Sequence, residues 1–374
     1  MSNGFLWQFQ VLLARNFRLF AADRIGVLLV FVQPIAIALL MNLALWNIGL
    51  DSRRQDENLR RLDLFFQKVQ ESKDRTSKII SEPRRLRIGV QFAEEVRGQA
   101  GDGAKTTADG KTEVVISPAS ATGRATVFFV LIAASIWMGL LCSCKEVVTE
   151  WAVIHRESHS TFSPGAYVLS KLVVLGGALM LQTLLLTAAT VPALLGREFG
   201  MVPYLGIFGV NWLTALCACA MGLLVSCLIG SIRWALALVP VLMMPQILMG
   251  GLLRPPAQIA EAERSVVRDA LSAATFQRWA FEAALIADAH FQPDTSLAVC
   301  VPDADYDETK SLLYLLQIER FSPYSEYFFA PAEDSDAWRL LRRPLSALLG
   351  MFVACAFLTK ICLVLRICRA NHGG

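Results

Sequence analysis

Histidine is nearly absent from this chain, with four in 374 residues. His155 and His159 stand at i, i+4 spacing, where one helical face could grip Zn²⁺. Arg156, however, occupies the place where a metalloprotease needs Glu as general base, and no third ligand lies nearby in sequence. The pair reads as solvated or partner-facing. Charge is scarce as well: 18% of residues are charged and the net charge is +3. That balance excludes a nucleic-acid partner, which would require a basic face with many phosphate-neutralising Lys and Arg. A complete nucleotide-binding loop is missing. Gly98, Gly103, Lys105 and Thr106 approach the pattern, but Ala104 stands directly before Lys105, where Gly is needed for backbone N–H groups to cradle phosphates. No Ser/His/Asp or Cys/His nucleophile arrangement emerges. The chain is therefore expected to be non-catalytic, to bind no metal or cofactor, and to rely on another polypeptide if ATP drives it. The first residues lack a charged start, an apolar core and a small-residue cleavage site, so no removable signal peptide is expected.

What is abundant is apolar sequence: 55% of residues are hydrophobic and mean hydropathy is +0.47, the composition of a membrane protein with polar loops. About 20 apolar residues cross roughly 30 Å of hydrocarbon. Six stretches qualify, at 26–48, 126–144, 168–191, 206–229, 234–253 and 345–365. The predicted fold is all-α integral membrane. Arg15, Arg18 and Arg24, then Lys145 and Arg156, Arg233, and Arg366 and Arg369 all fall on one side, which the positive-inside rule makes the cytosol. Both termini, including the tail 366–374, are predicted cytosolic, and a bacterial inner (plasma) membrane is the expected location.

The loops carry further information. Within 1–25, Phe5, Leu6, Phe9, Leu12, Leu13, Asn16, Phe17 and Phe20 recur at helical spacing, predicting an amphipathic helix on the cytosolic leaflet, or else a simple extension of span 1. The extracytoplasmic insertion 50–125 divides into three pieces. Residues 56–80 suggest an amphipathic helix, LRIGVQF at 86–92 and TEVVISP at 112–118 a small hairpin, and GQAGDGAKTTADGK between them a mobile loop. This insertion reads either as a floppy element or as a docking site for an extracytoplasmic protein. The cytosolic loop 145–167 holds Glu146, Glu150, Arg156 and Glu157 at the membrane surface, where a cytosolic motor can push on the helices. Span 5 contains Pro240, Pro245, Gly250 and Gly251, so its hydrogen-bond ladder is interrupted, and such breaks belong beside a cavity or inside protein. Met243, Met244 and Met249 suit either plain packing or varied apolar ligands. Gln246 is the polar group expected to face a pathway. Residues 254–343 form an extracytoplasmic cap in which FQRWAFEAALIADAHF is too short and polar to span, and is expected to be re-entrant or interfacial. Of nine cysteines, eight lie in or beside spans as packing residues. Cys300 alone is extracytoplasmic, leaving a bridge between two copies as the one disulfide to consider.

The order of parts resembles a type-2 ABC exporter permease, close to the ABCG-like (White and pleiotropic drug resistance) membrane domain. The resemblance rests on three stretches. They are RNFRLFAADR before span 1, the loop with Glu146, Glu150, Arg156, Glu157, Ser163, Ala166, Tyr167 and Lys171, and ALVPVLMMPQILMGGLLRPP followed by RWAFEAAL. It implies a six-span half-transporter that pairs with a second permease copy, identical or paralogous, around a central cavity. Two separate cytosolic ATPase subunits would carry ATP and Mg. A connecting helix at about 5–20 and a coupling helix at about 146–164 would transmit their closure through Glu146, Glu150, Arg156, Glu157 and Tyr167. By position, Trp137, Met244, Gln246 and Met249 would line the cavity, and Leu252 and Leu253 would plug its exit. Two departures stand out: Trp151 replaces a common Arg, and Ser158 replaces a basic residue. The first external loop is also longer than the family usually shows.

The function these readings support is ATP-driven export of an amphipathic or lipid-like substrate by alternating access. The alternative is a mechanotransmission subunit whose partner ATPase moves the external segments to control another protein without transport. A secondary carrier is disfavoured, because the spans hold few acids to couple ions and no inverted repeat is visible.

Overall fold

The computed structural model describes residues 4–47, 105–106, 112–113, 118–159, 162–195, 201–256, 266–291, 328–329 and 337–372. Two helices open the chain, α1 (Phe5–Ala22) and α2 (Arg24–Ala44). Asp23 alone separates them. Its carboxylate accepts from the Gly26 N–H at 3.0 Å and caps α2, while its own N–H closes α1 onto the Leu19 and Phe20 carbonyls. Leu12 and Asn16, one turn apart, form the buried edge of α1. Pro34 sits inside α2.

Next come β1 (Lys105–Thr106) and β2 (Thr112–Glu113), an antiparallel pair with Lys105 opposite Glu113. Thr112 and Glu113 thus pair with residues of the segment read as a mobile loop, where Asp109-Gly110 lies between the strands as a strong turn signal. The expected partner strand 86–92 and the helix 56–80 lie outside the described residues.

The helical body consists of α3 (Pro118–Ser143), α4 (Glu146–Ser158), α5 (Pro164–Leu194), α6 (Met201–Leu228), α7 (Ile232–Met249), α8 (Val266–Ala273), α9 (Phe276–Phe291) and α10 (Ala337–His372). Among the described residues, six helices are long and apolar enough to cross a membrane: α2, α3, α5, α6, α7 and α10. The protein is an all-α integral membrane fold.

Helix α6 is the hub, packed against α3, α5, α9 and α10. In lipid no hydrophobic force draws helices together, so small residues and close approach carry the packing. Gly139 shows this on α3: a Cβ there would fall 2.8 Å from Ala218 Cβ and closer still to the Ala215 carbonyl. A polar seam adds to it. Thr183, Thr187 and Thr190 donate back to the carbonyls of Leu179, Thr183 and Leu186, Asn211 donates to Thr187 at 3.4 Å, and Trp212 donates to the Gly176 carbonyl at 3.1 Å. Gly139→Val is expected to destabilise the fold by about 1–3 kcal/mol through overpacking. Gly209→Ala, whose Cβ meets nothing within 4 Å, should leave thermal unfolding in detergent unchanged.

Helix α9 holds the FQRWAFEAAL stretch. Residues 276–288 are buried apart from half-buried Arg278, enclosed by α3, α6 and α10. So enclosed, it keeps no broad face for lipid. Polar and ring contacts hold it. Arg124 donates twice to Asp288 at 2.6 and 2.7 Å, Gln277 donates its side-chain amide to the Phe129 carbonyl at 2.8 Å, and Phe281 meets Phe129 edge-on at 5.4 Å. Most of the expected cap, 292–336 apart from Phe328 and Phe329, lies outside the described residues, and Cys300 with it. The other eight cysteines are free thiols.

Candidate coupling site at the junction of α1, α4 and α5

Helix α4 runs between α3 and α5, and its first turn is finished by another element. Ser226, near the end of α6, accepts from the Val147 and Val148 N–H groups at 3.0 and 3.1 Å, supplying the acceptor that those unpaired N–H groups require. Val147 and Ile154 bury one edge of α4, with half-buried Trp151 between them. Arg366 of α10 lies 4.0 Å over the Trp151 ring and donates to the Cys227 carbonyl at 3.0 Å. The cation that the resemblance leads one to expect at position 151 is therefore present in space, contributed by α10. Ser158 turns its hydroxyl onto the His155 carbonyl at 2.6 Å, closing the helix. His155 packs on Trp151 and on His159.

The neighbouring edge of α4 carries the acids. Lys171 of α5 donates to Glu146 at 2.8 Å and to Glu150 at 2.6 Å, and the Tyr167 hydroxyl donates to the other Glu150 oxygen at 2.9 Å. From α1, Arg15 reaches Glu157 at 2.8 and 3.0 Å and lies 3.7 Å from Glu150. Asn16 donates to Ser170 at 2.9 Å, which in turn donates to the Tyr167 carbonyl. The Lys171 side chain is 6% exposed, whereas its acid partners remain in reach of water. Charge-assisted bonds of this length are the strong kind, and here they clamp three helices at one point.

Four of the five expected interface residues, Glu146, Glu150, Glu157 and Tyr167, meet in this network. Arg156 does not: it is exposed on the opposite face of α4 with Lys145, Thr149, Ala152, Val153 and His159. Those positions follow helical spacing and form the outward side of α4. The acids are thus turned inward. Arg15, Lys171, Ser226 and Arg366 were not assigned to the interface from sequence. Lys171 had a legible signal, since a single cation on a long apolar helix demands an acid partner.

The expected cavity residues separate. Met244 is 62% exposed and Trp137 lies on the outer stripe of α3, while Met249 is half-buried. Gln246 is 5% exposed, and its Oε1 accepts from the Gln277 N–H at 3.1 Å. That oxygen is satisfied within the bundle, at the start of α9. Leu252 packs partly against the core and Leu253 is exposed, both just after Gly251, whose φ of +99° only glycine adopts freely. Helix α7 buries only the line Ala235, Val239, Met243 and Gln246.

Residues 7–287, from α1 to within α9, match the family of ABC-2 type transporters. The chain belongs to the ABC-2 type transporter family. No curated protein matches it. As an ABC-2 permease it is an integral membrane component of an ABC transporter, of a kind that works with ABC ATPase partners, often as a dimer. The match spans α4 and α5 entire and α1 from its third residue, so every residue of the charge clamp lies inside it, and Arg366 of α10 lies beyond it.

Proposed function

We propose that this ABC-2 permease is the membrane half of an ABCG-like exporter that moves an amphipathic or lipid-like substrate out of the cytosol or inner leaflet. The observation that carries the reading is the charge clamp. A displacement of α4 must pull on α1 through Arg15 and on α5 through Lys171, so a motor touching the outward side of α4 moves a span and the interfacial helix together. The α4 end is cytosolic in this reading, as are both termini. Two ATPase subunits, each with ATP and Mg, dock on the side of α4 that bears Thr149, Val153 and Arg156. The largely uncovered surface of α7, with Met244, faces a second permease copy and encloses the substrate path with Trp137 and Met249. Leu252 and Leu253 close its exit. ATP closure then shifts the pair between inward- and outward-open states by its differential affinity for them. The length of the segments outside the spans between α2 and α3, and between α9 and α10, favours the second reading, mechanotransmission to an extracytoplasmic partner.

The test is co-purification with the partner ATPase, followed by ATP hydrolysis and transport assays on Glu150→Ala/Glu157→Ala. Transport per ATP is expected to fall by about 5- to 150-fold, the span of ordinary coupling energies, with expression intact. Unchanged coupling would move the motor interface elsewhere. Vigorous ATP hydrolysis by the wild-type complex with no substrate moved would favour mechanotransmission.

A further inference from the structure

Between α1, α2 and α5 lies a cleft of about 740 Å³ that the charge clamp does not use. Ala14 and Phe17 of α1, Val27 and Phe31 of α2, and Val174 and Gly177 of α5 contribute to its walls, and Gln10 is the single polar residue among those that line it. Phe17 and Phe31 are exposed. A Cβ built on Gly177 meets nothing within 4 Å, so the space is open where α5 borders it. With one polar group available the cleft cannot hold ordered water, which needs two to four partners, and left empty it forfeits the dispersion contacts of its lining. Two of its three walls belong to helices apolar enough to span a membrane, so hydrocarbon chains are the material at hand.

The rim of the cleft is cationic. Arg18 follows Ala14 by one turn on α1, and Arg24 precedes Val27 and Phe31 by three and seven residues on α2, so each borders the stripe that lines the cleft. Both arginines are exposed and neither has an ion-pair partner among the described residues. The acid between them, Asp23, is turned onto the Gly26 N–H, and Arg15 is taken by Glu157. Apolar walls under two uncommitted arginines match an amphipathic molecule with a negative head.

We propose that this cleft binds a membrane phospholipid with an anionic headgroup, an acyl chain lying between α1, α2 and α5 and the head held by Arg18 and Arg24. The lipid is a resident of the protein and not its cargo, so the site does not depend on the export reading. It fills the gap beside the connecting helix, so the seating of α1 against the spans depends on the membrane's lipid composition.

The test is native mass spectrometry of the full-length protein, purified in mild detergent and given dioleoyl phosphatidylglycerol or dioleoyl phosphatidylcholine at equal concentration. Wild type is expected to retain phosphatidylglycerol preferentially. Gly177→Leu should lose retention of both, with Ala14→Leu as a second way to fill the cleft. Gly350→Leu, at another glycine whose Cβ meets nothing, should retain lipid normally. Arg18→Ala/Arg24→Ala should keep a lipid but lose the headgroup preference by roughly thirtyfold, as expected for two basic residues near an anionic lipid. Full retention in Gly177→Leu and Ala14→Leu, or an undiminished preference in the arginine double variant, would overturn the proposal. Loss in Met244→Trp with retention in Gly177→Leu would also overturn it, placing the lipid in the path along α7.

Discussion

Replacing either Arg124 or Asp288 by Ala is expected to destabilise the permease by about 3–5 kcal/mol, the usual cost of leaving one partner of a buried ion pair behind. The pair is bidentate at 2.6 and 2.7 Å, and its side chains are 6% and 0% exposed. Neither charge has water to fall back on. The double variant Arg124→Met/Asp288→Leu should recover most of the loss, since apolar groups of similar volume can replace a buried pair at little cost. Thermal unfolding in detergent of the two single variants and the double variant completes the cycle. Single variants as stable as wild type would show that α3 and α9 are not joined there.

The second large effect is expected at Lys171. Lys171→Met leaves Glu146 and Glu150 side by side at a half-buried site with no cation between them, and Tyr167 bonded to one of them. A stability loss of about 2–3 kcal/mol is expected, below the full buried-pair figure because both acids reach water. The loss of coupling should exceed that of Glu150→Ala/Glu157→Ala, since α5 then loses its ionic hold on both Glu146 and Glu150 and keeps only the Tyr167 hydrogen bond to Glu150. Lys171→Arg keeps the charge but brings a rigid planar fork in place of a point charge, and should restore stability more fully than coupling. Comparing transport per ATP with the unfolding midpoint separates the two roles. Equal rescue of both by Arg would reduce Lys171 to a structural counter-ion.

The spans are legible in sequence because lipid imposes a length that only a long apolar run satisfies. The stretch expected at 206–229 is seen as Met201–Leu228, and that at 26–48 as Arg24–Ala44. The acids of α4 are legible as a group as well. Their partners are not, because Arg15 meets Glu157 across 142 residues, a contact that exists only once α1 lies against α4. Helix α9 shows the same limit. An amphipathic stretch of 16 residues reads alike whether it rests on a membrane surface or is enclosed, and what encloses it is an arginine 164 residues earlier in the chain. Gln246 shows the other kind of ambiguity. A polar side chain at membrane depth can be satisfied by a watery path or by a backbone N–H, and only the position of Gln277 decides between them.

The enclosure of α9 also bears on the order in which the protein is built. Gln277, Glu282 and Asp288 make this helix a poor candidate for entering hydrocarbon by itself, and it is synthesised before one of its walls, α10, exists. α3 and α6 are already in place when α9 leaves the ribosome, but the compartment that hides its polar groups is completed only when α10 arrives. Insertion of this segment is therefore expected to be deferred, with the last span acting as the latch of biogenesis. A ribosome stalled before residue 337 would hold α9 where an aqueous thiol reagent can reach a cysteine placed at Ala284, a position wholly sealed in the finished fold.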